Sequence, residues 1–107
     1  MDQWRPEQLK ACLDEAGAQA PVLLDVREPH EYAHCRIEGS THIPMAMVPL
    51  RFEELDPAAQ TVVICHHGMR SMQVAMFLEQ RGFSNVINLA GGVAAWARQV
   101  DPDMPQY

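Results

Sequence analysis

The stretch that decides the fold is Val62-Val63-Ile64-Cys65-His66-His67-Gly68-Met69-Arg70-Ser71. Its apolar start is typical of a strand buried on both faces, and the polar, glycine-containing segment after Cys65 is typical of a loop. Beyond the loop, apolar residues recur at helical spacing over residues 74–78, which predicts a helix over about residues 71–81. Cys65 is therefore expected where a strand ends and a helix begins, the place where ligands bind in an open parallel sheet.

The rest of the chain alternates predicted strands with predicted helices. Strands are expected at Trp4 and over residues 22–26, 41–43 and 85–89, which are short runs bounded by turn residues. Helices are expected over Pro6–Ala16, with an apolar stripe of Leu9, Cys12, Leu13 and Ala16, over Pro29–His34, over residues 47–55, and after Gly91-Gly92. This alternation predicts an α/β fold, with a small, mostly parallel sheet of about four to five strands and helices on both faces.

Length and charge limit the classes of protein to consider. The 107 residues suffice for one compact domain, so residues 1–107 are expected to form a single domain with a loosely ordered tail over residues 101–107. The formal net charge of −6 and the scattered Lys and Arg residues argue against binding of nucleic acid or of an anionic membrane surface. No apolar run approaches the roughly 20 residues of a membrane span, and the first residues do not resemble a signal peptide, which predicts a cytoplasmic location.

Cysteine usage indicates free thiols. Cys12, Cys35 and Cys65 are odd in number and widely spaced, so they cannot form a complete disulfide framework or a C-x-x-C pair. Cys12 lies among apolar residues and is expected to be a small buried hydrophobe. Cys35 lies in a polar, loop-like context that allows it to be exposed. Cys65 is the candidate nucleophile.

The loop after Cys65 is suited to holding an anionic sulfur. Only the thiolate is a good nucleophile, and positive potential favours it. Here that potential is expected from the backbone amides of residues 66–71, from the N-terminus of the following helix and from Arg70, which is expected to face an anion. Gly68 allows the positive φ that lets the amides converge. Such a sulfur can attack a sulfane sulfur, retain it as a cysteine persulfide and pass it to a thiophile, with no metal or organic cofactor.

Several ordered motifs resemble those of single-domain rhodaneses, the thiosulfate sulfurtransferases. They are Leu23-Leu24-Asp25-Val26-Arg27-Glu28 with Glu31-Tyr32, then Ile37 and Gly39 to Pro44, the loop from Cys65 to Ser71, Gly82-Phe83, and Leu89-Ala90-Gly91-Gly92-Val93 with Trp96. Two departures are Arg36-Ile37, where many members have His-Ile, and Gly39-Ser40, where they often have Gly-Ala. The departures are expected to alter local packing and donor access without touching the nucleophile.

The resemblance implies a rhodanese-like fold and the transfer of sulfur from thiosulfate or a similar donor to cyanide or a thiol acceptor, through a persulfide on Cys65. The residues implied to bind the substrate, through loop backbone and charge, are His66, His67, Gly68, Met69, Arg70 and Ser71. It also implies that Asp25 braces the site and that Arg27 forms a supporting ion pair. The implied partners are a small sulfur donor and a thiophilic acceptor, a thiol protein among them, with no nucleic acid, membrane, metal or cofactor.

Other interpretations stay open. Either the side chains of His66 and His67 take part in the reaction, or only their backbone amides do. A zinc site built from Cys65 and these histidines is disfavoured, because adjacent residues do not easily converge on one tetrahedral metal. A phosphatase or arsenate reductase of related fold would carry five residues between cysteine and arginine, whereas four separate Cys65 from Arg70. A sulfur carrier or regulatory module that acts with a protein partner is the non-enzymatic alternative.

Overall fold

The computed structural model describes the backbone of residues 1–107 and every side chain except those of Ala16 and Ala18. Strands and α-helices alternate along the chain, as the sequence predicts. The strands are β1 (Asp2–Trp4), β2 (Val22–Asp25), β3 (Thr41–His42), β4 (Thr61–Ile64) and β5 (Val86–Leu89). The helices are α1 (Pro6–Ala16), α2 (Pro29–His34), α3 (Val48–Arg51), α4 (Met69–Gln80) and α5 (Gly92–Gln99), with 3-10 turns at Gly17–Gln19, Met45–Met47 and Phe52–Glu54.

The strands form one parallel sheet in the order β1-β5-β4-β2-β3. Strand β4 is central, and all of its residues are buried, as expected for an apolar strand covered on both faces. Trp4 belongs to the edge strand, as predicted. Because parallel strands share one carboxyl edge, the segments that follow β2, β4 and β5 meet there. The parallel α/β fold predicted from the sequence is confirmed.

The two faces of the sheet carry separate apolar cores. Strand side chains alternate between the faces, so Val62 and Ile64 of β4 face one core while Val63 and Cys65 face the other. Helices α1 and α5 cover the first core, and α3 and α4 cover the second. Cys65 therefore follows the central strand and is supported by the core beneath α4.

The first helix occupies the predicted range. In its apolar stripe Leu9 is fully buried, and Cys12 and Leu13 are half-buried. The predicted place of Ala16 in this stripe lies outside the described side chains.

Within the part of the chain that the structure describes, no helix is long and apolar enough to cross a bilayer.

The continuous helix predicted over residues 47–55 is wrong. The chain forms a 3-10 turn at Met45–Met47, the single turn α3, and a second 3-10 turn at Phe52–Glu54. The break lies at Arg51, whose φ of −125° and ψ of 0° depart from helical values, whereas Pro49 stands in the first turn of α3, where a proline is compatible with a helix. The predicted apolar side is nevertheless present, because Val48 is buried and Phe52 and Leu55 pack against the second core.

Residues 101–107, for which the sequence predicts a loosely ordered tail, contact the rest of the protein in the structure. Met104 is buried and joins the core beneath α1 and α5. Its backbone N–H donates to the carbonyl of Asp101 at 3.1 Å. Tyr107 packs against the segment that follows Cys65. Apolar burial and hydrogen bonding at these two positions hold the segment to the domain, a long-range arrangement that local composition does not reveal.

Cys35 is buried rather than exposed. Its side chain is 8% exposed and belongs to the first core. The extended chain that follows α2 carries it beneath Arg27, whose Nη1 lies 3.8 Å from the Cys35 Sγ. The polar sequence around Cys35 allowed an exposed position because local composition does not show that Arg27, which follows β2, covers it.

Candidate active site

Cys65 lies directly after β4, at the carboxyl edge of the sheet. Its side chain is only 1% exposed. The backbone N–H of Gly68 donates to the Cys65 Sγ at 3.1 Å, and the N–H of Ser71 donates to it at 3.3 Å. Amides at the start of a helix have no partner within the helix and are free to bind such a group. These two amides hold the sulfur and favour negative charge on it.

A network of side chains continues from the sulfur. The Cys65 thiol donates to the Ser71 hydroxyl at 3.3 Å, and that hydroxyl donates to Oδ1 of Asn88. Asn88 then donates from Nδ2 to the Gly68 carbonyl at 3.1 Å and to Gln3 Oε1 at 2.9 Å. Ser71 and Asn88 are both buried. The network therefore fixes the loop to β5 and, through Gln3, to the edge strand β1.

Two glycines allow the loop backbone to pack this closely. Gly68 has a φ of +97°, a left-handed conformation that side chains rarely adopt. Gly92 begins α5 and touches the loop, since a Cβ at that position would lie 2.3 Å from the Cys65 carbonyl oxygen and 2.4 Å from that of His66. The N–H of Val93 donates to the Cys65 carbonyl at 2.9 Å. Helix α5 therefore supports the backbone that carries the thiol.

Arg70 faces an anion, but the anion is a side chain of the protein. Its Nη1 and Nη2 donate to the two carboxylate oxygens of Glu31 at 2.7 and 2.9 Å. These hydrogen bonds hold the pKa of Glu31 well below its usual range and raise the pKa of Arg70 above its usual value. Bidentate pairs between charged groups are stronger than hydrogen bonds between neutral ones. The pair fastens α2 to the first turn of α4.

Asp25 and Arg27 form a buried ion pair beside the loop. The Arg27 Nη2 donates to Asp25 Oδ2 at 2.7 Å, and its Nε donates to Oδ1 at 2.9 Å. Arg27 also donates to the carbonyls of Cys35 at 2.6 Å and Glu31 at 3.3 Å. Burial opposes the charge on Arg27, but the hydrogen bonds to Asp25 and Tyr107 outweigh it and raise the Arg27 pKa. These contacts fit the supporting roles expected of Asp25 and Arg27.

Tyr107 joins the site from the end of the chain. Its hydroxyl donates to Glu31 Oε2 at 2.8 Å and accepts from Arg27 Nη1 at 2.9 Å. Its ring stacks on that of His66, with the two centroids 3.8 Å apart and the planes 9° from parallel. Burial raises the pKa of Tyr107 to about 12, so its hydroxyl keeps its proton at neutral pH.

The other side chains of the loop differ in their surroundings. His66 is half-buried, and burial together with the neighbouring His67 charge lowers its pKa. His67 is exposed beside it, with the ring centroids 3.9 Å apart, and Met69 is 68% exposed. Among the described side chains, no group of three or more His, Cys, Asp or Glu residues is placed to hold a metal ion.

The two departures from the family pattern lie in one cluster around Tyr32. The guanidinium carbon of Arg36 lies 4.8 Å from the centroid of the Tyr32 ring, and the Tyr32 hydroxyl donates to the Ser40 carbonyl at 3.0 Å. The Tyr32 ring also stacks on His42, whose ring centroid is 4.3 Å away with the planes 5° apart. An effect of this cluster on donor access stays a prediction.

The structure brings most of the predicted site residues together. Cys65, Gly68 and Ser71 make direct contacts at the sulfur, and Asp25, Arg27 and Arg70 form ion pairs around the loop. The sequence interpretation missed Glu31, Asn88 and Tyr107. The sequence does mark Asn88, which is a polar residue inside an apolar strand. It also marks Glu31, which belongs to the Glu31-Tyr32 part of the first rhodanese-like motif. Nothing local indicated Tyr107.

The fold and the site together define a class of α/β proteins in which a loop at the carboxyl edge of a parallel sheet holds a cysteine with backbone amides. The family profile described as a rhodanese-like domain matches residues 5–99, and the chain belongs to this family.

Relatives and solved structures agree with this assignment. The chain is similar to a sulfurtransferase of Allochromatium vinosum, with 37% identity over 83 residues that cover 78% of each chain. It is also similar to the thiosulfate sulfurtransferase GlpE of Pseudomonas entomophila, with 38% identity over 91 residues that cover 85% of this chain and 80% of that protein. The crystal structure of a rhodanese-like domain protein from Staphylococcus aureus superposes with a TM-score of 0.85 and 27% identity, covering 100% of this chain and 99% of that one.

Proposed function

We propose that this protein is a sulfurtransferase that carries sulfane sulfur as a persulfide on Cys65. The observation that carries the proposal is the pair of amides from Gly68 and Ser71 that donate to the Cys65 Sγ at 3.1 and 3.3 Å. Membership of the rhodanese-like family and the names of the two relatives support sulfur transfer. The name of the Pseudomonas relative favours thiosulfate as a donor.

In the first step the Cys65 thiolate attacks the outer sulfur of thiosulfate. A bond forms between the Cys65 Sγ and that sulfur, while the sulfur–sulfur bond of thiosulfate breaks. Sulfite leaves with the electron pair of the broken bond, and the enzyme keeps an anionic cysteine persulfide. Donors aimed at the sulfur stabilise negative charge before and after the transfer.

In the second step a thiophile attacks the outer sulfur of the persulfide. Cyanide forms a bond to that sulfur, the bond to the Cys65 Sγ breaks, and thiocyanate leaves as the thiolate is restored. A thiol acceptor in its thiolate form reacts in the same way and becomes a persulfide. The chemistry needs no metal or organic cofactor. We place it in a reducing compartment such as the cytoplasm, where free cysteines persist.

Intact mass spectrometry after incubation with thiosulfate tests the proposal. We expect the wild type to gain the mass of one sulfur atom and to lose it on addition of cyanide. Cys65→Ser is expected to gain nothing. Cys12→Ser, which removes a free and half-buried thiol of α1, is the matched control and is expected to behave as the wild type.

Absence of the adduct with thiosulfate and with an organic persulfide would contradict the proposal. An adduct that survives in Cys65→Ser would contradict the assignment of the nucleophile. Turnover of a phenyl phosphate with no sulfur adduct would favour the phosphatase alternative. Comparison of kcat/KM for several donors and acceptors then identifies the preferred pair.

A sulfur carrier that serves a protein acceptor is the second candidate. It is favoured by the exposure of an apolar side chain in the loop itself, since Met69 is 68% exposed. Methionine is common at surfaces that bind several protein partners. Under this alternative the persulfide forms as above but passes slowly to cyanide and quickly to a protein thiol. Single-turnover transfer from the persulfidated protein to cyanide and to a reduced thiol protein distinguishes the two.

A further inference from the structure

The C-terminal segment contacts both flanks of the loop that holds the sulfur. The Tyr107 ring lies flat on His66, the first residue after Cys65. The Tyr107 hydroxyl binds Glu31, and Glu31 in turn holds Arg70, at the other end of the loop. One side chain is therefore linked to both ends of the loop, directly at one end and through a carboxylate at the other.

The segment is fixed at two points. Met104 is buried in the core beneath α1 and α5, and Tyr107 is held by a donated and an accepted hydrogen bond. Between them the chain passes over α5, where Pro105 and Gln106 line a small cavity of about 20 Å³ together with His66 and Ala97. The segment thus spans from the core to the loop.

We propose that Tyr107 is a positioning residue for sulfur transfer and that residues 104–107 form a clamp that keeps the loop amides converged on the sulfur. The inference rests on the proposed function of Cys65. Tyr107 acts through His66 and through the pair of Glu31 and Arg70. Persulfide formation adds a second sulfur within the loop, and the amides of Gly68 and Ser71 must keep their direction while it is added. Small displacements of groups that orient a reaction have large effects on rate.

Tyr32 offers a matched control within the same chain. It too is a tyrosine stacked on a histidine, His42, with the planes 5° apart, and its hydroxyl is hydrogen-bonded, to the Ser40 carbonyl and hydroxyl. Its hydroxyl binds Ser40 and its ring contacts His42 and Arg36, with the Arg27 guanidinium carbon 5.9 Å from the ring centroid, and these contacts do not include residues of the loop. Removal of the Tyr32 hydroxyl therefore tests for general effects of losing such a tyrosine contact.

Hydrogen exchange measures the clamp without any assumption about activity. We expect Tyr107→Ala to speed exchange of the amides of residues 66–71 by about tenfold, because the loop loses both contacts of the clamp. Tyr107→Phe keeps the stacked ring and is expected to give a smaller increase. Tyr32→Phe is expected to leave these amides unchanged. The Tyr107 side chain is 45% exposed, so its replacement leaves the apolar cores intact.

Single-turnover kinetics with thiosulfate test the consequence for the reaction. Tyr107→Ala is expected to lower the rate constant of persulfide formation by about tenfold with little change in the donor concentration at half-saturation, since the loop is mispositioned after binding. Tyr107→Phe is expected to recover part of that loss. Tyr32→Phe is expected to match the wild type in the rate constant at saturating thiosulfate, because a change in donor access would alter only the donor concentration at half-saturation.

The clamp is overturned if both Tyr107 variants match Tyr32→Phe in loop exchange. The role of Tyr107 in the reaction is contradicted if the loop amides exchange faster in Tyr107→Ala while the persulfide forms at the wild-type rate. Failure of the wild type to form a persulfide would refute the proposed function instead, and the exchange experiment would still decide whether Tyr107 holds the loop.

Discussion

Single polar residues around the Cys65 sulfur determine which hydrogen bonds it makes. Ser71 has two roles, because its backbone N–H donates to the Sγ at 3.3 Å while its hydroxyl lies between that sulfur and Asn88. Asn88 uses its side-chain amide to hold the Gly68 carbonyl at 3.1 Å. The orientation of the Gly68 amide toward the sulfur therefore depends on a residue of the neighbouring strand.

Ser71→Ala is expected to slow persulfide formation and to destabilise the fold. Asn88, which holds the Gly68 carbonyl, loses the hydroxyl that donates to it, so the loop is less well positioned at the sulfur and the rate is expected to fall by about tenfold. Asn88 Oδ1 is left buried without its donor, which predicts a loss of about 1 to 3 kcal/mol in the free energy of unfolding. Urea unfolding and single-turnover mass spectrometry measure the two effects.

Ser84→Ala is the matched control for that experiment. The Ser84 hydroxyl is exposed and donates only weakly, to the Pro57 carbonyl at 3.4 Å. This variant is expected to match the wild type in both measurements. A Ser71→Ala protein with wild-type rate and stability would show that the hydroxyl network has no influence on the sulfur.

At the scale of secondary structure, the loop is held between two helix N-termini. Helix α4 supplies the Ser71 amide to the sulfur, while α5 donates the amides of Val93 and Ala94 to the carbonyls of Cys65 and His66 at 2.9 and 3.1 Å. The close approach of α5 requires a residue without a Cβ at its first position, Gly92. The glycine pair of the C-terminal motif therefore has a physical role in supporting the active loop.

Gly92→Ala and Gly82→Ala separate backbone strain from steric conflict. Both glycines have positive φ, +60° and +90°, but a Cβ at Gly82 meets nothing within 4 Å whereas one at Gly92 meets the loop carbonyls. Gly82→Ala is expected to cost about 1 to 2 kcal/mol from the left-handed conformation alone. Gly92→Ala is expected to cost about 1 to 3 kcal/mol more, because it overpacks the loop.

Thermal unfolding and the rate of persulfide formation measure the difference between these variants. Gly92→Ala should also slow the reaction, since its Cβ displaces the backbone that carries the thiol, and Gly82→Ala should not. Equal destabilisation by both substitutions would contradict a close contact between α5 and the loop.

At the scale of the whole molecule, ion pairs connect parts of the chain that are far apart in sequence. Glu31 in α2 binds Arg70 in α4 and Tyr107 at the C-terminal end. The charged side chains of the site are therefore paired with one another. The chain as a whole is acidic, with a formal net charge of −6.

The two apolar cores share one sheet. We infer that they unfold together as a single unit.

Glu31 is expected to make stability depend on pH. Its pKa in the folded protein lies below the ordinary value of 4.5 because of the hydrogen bonds from Arg70. A carboxyl group whose pKa is lower in the folded than in the unfolded protein stabilises the fold when the pH is above its unfolded pKa. This stabilisation is lost as the pH falls below the unfolded pKa and toward the folded pKa. The difference in unfolding free energy between wild type and Glu31→Gln should therefore shrink as the pH falls from about 6 to about 3.

Glu54→Gln is the control for this titration. Glu54 is also paired with an arginine, Arg51, and its pKa is also lowered, but the pair is exposed to solvent. Because solvent screens such pairs, the pH dependence of its stability difference is expected to be much smaller. Urea unfolding at several pH values measures both differences. An unchanged difference for Glu31→Gln across this range would contradict the tight pairing of Glu31 with Arg70.

Much of the fold could be predicted because its signals are local. The apolar β4, the proline at the start of α1 and α2, and the helical spacing within α4 each depend on residues close together in the chain. The interrupted segment around α3 could not be obtained from spacing alone, since the backbone leaves helical angles at Arg51 within an otherwise periodic pattern. The burial of Cys35 was not evident from its polar neighbours, because its cover, the Arg27 side chain, comes from the segment before α2.

The sequence by itself determined a parallel α/β domain with one cysteine between a buried strand and a helix N-terminus, because strand, loop and helix patterns are consecutive there. Only the tertiary structure decided what surrounds that cysteine. Asn88, Glu31 and Tyr107 come from β5, α2 and the last residues, and they meet because strand order and helix packing bring their positions to one edge of the sheet. Contacts between segments that are distant in sequence give no repeating pattern of residues. The partners of Ser71, Arg70 and His66 can therefore be identified only from the folded structure.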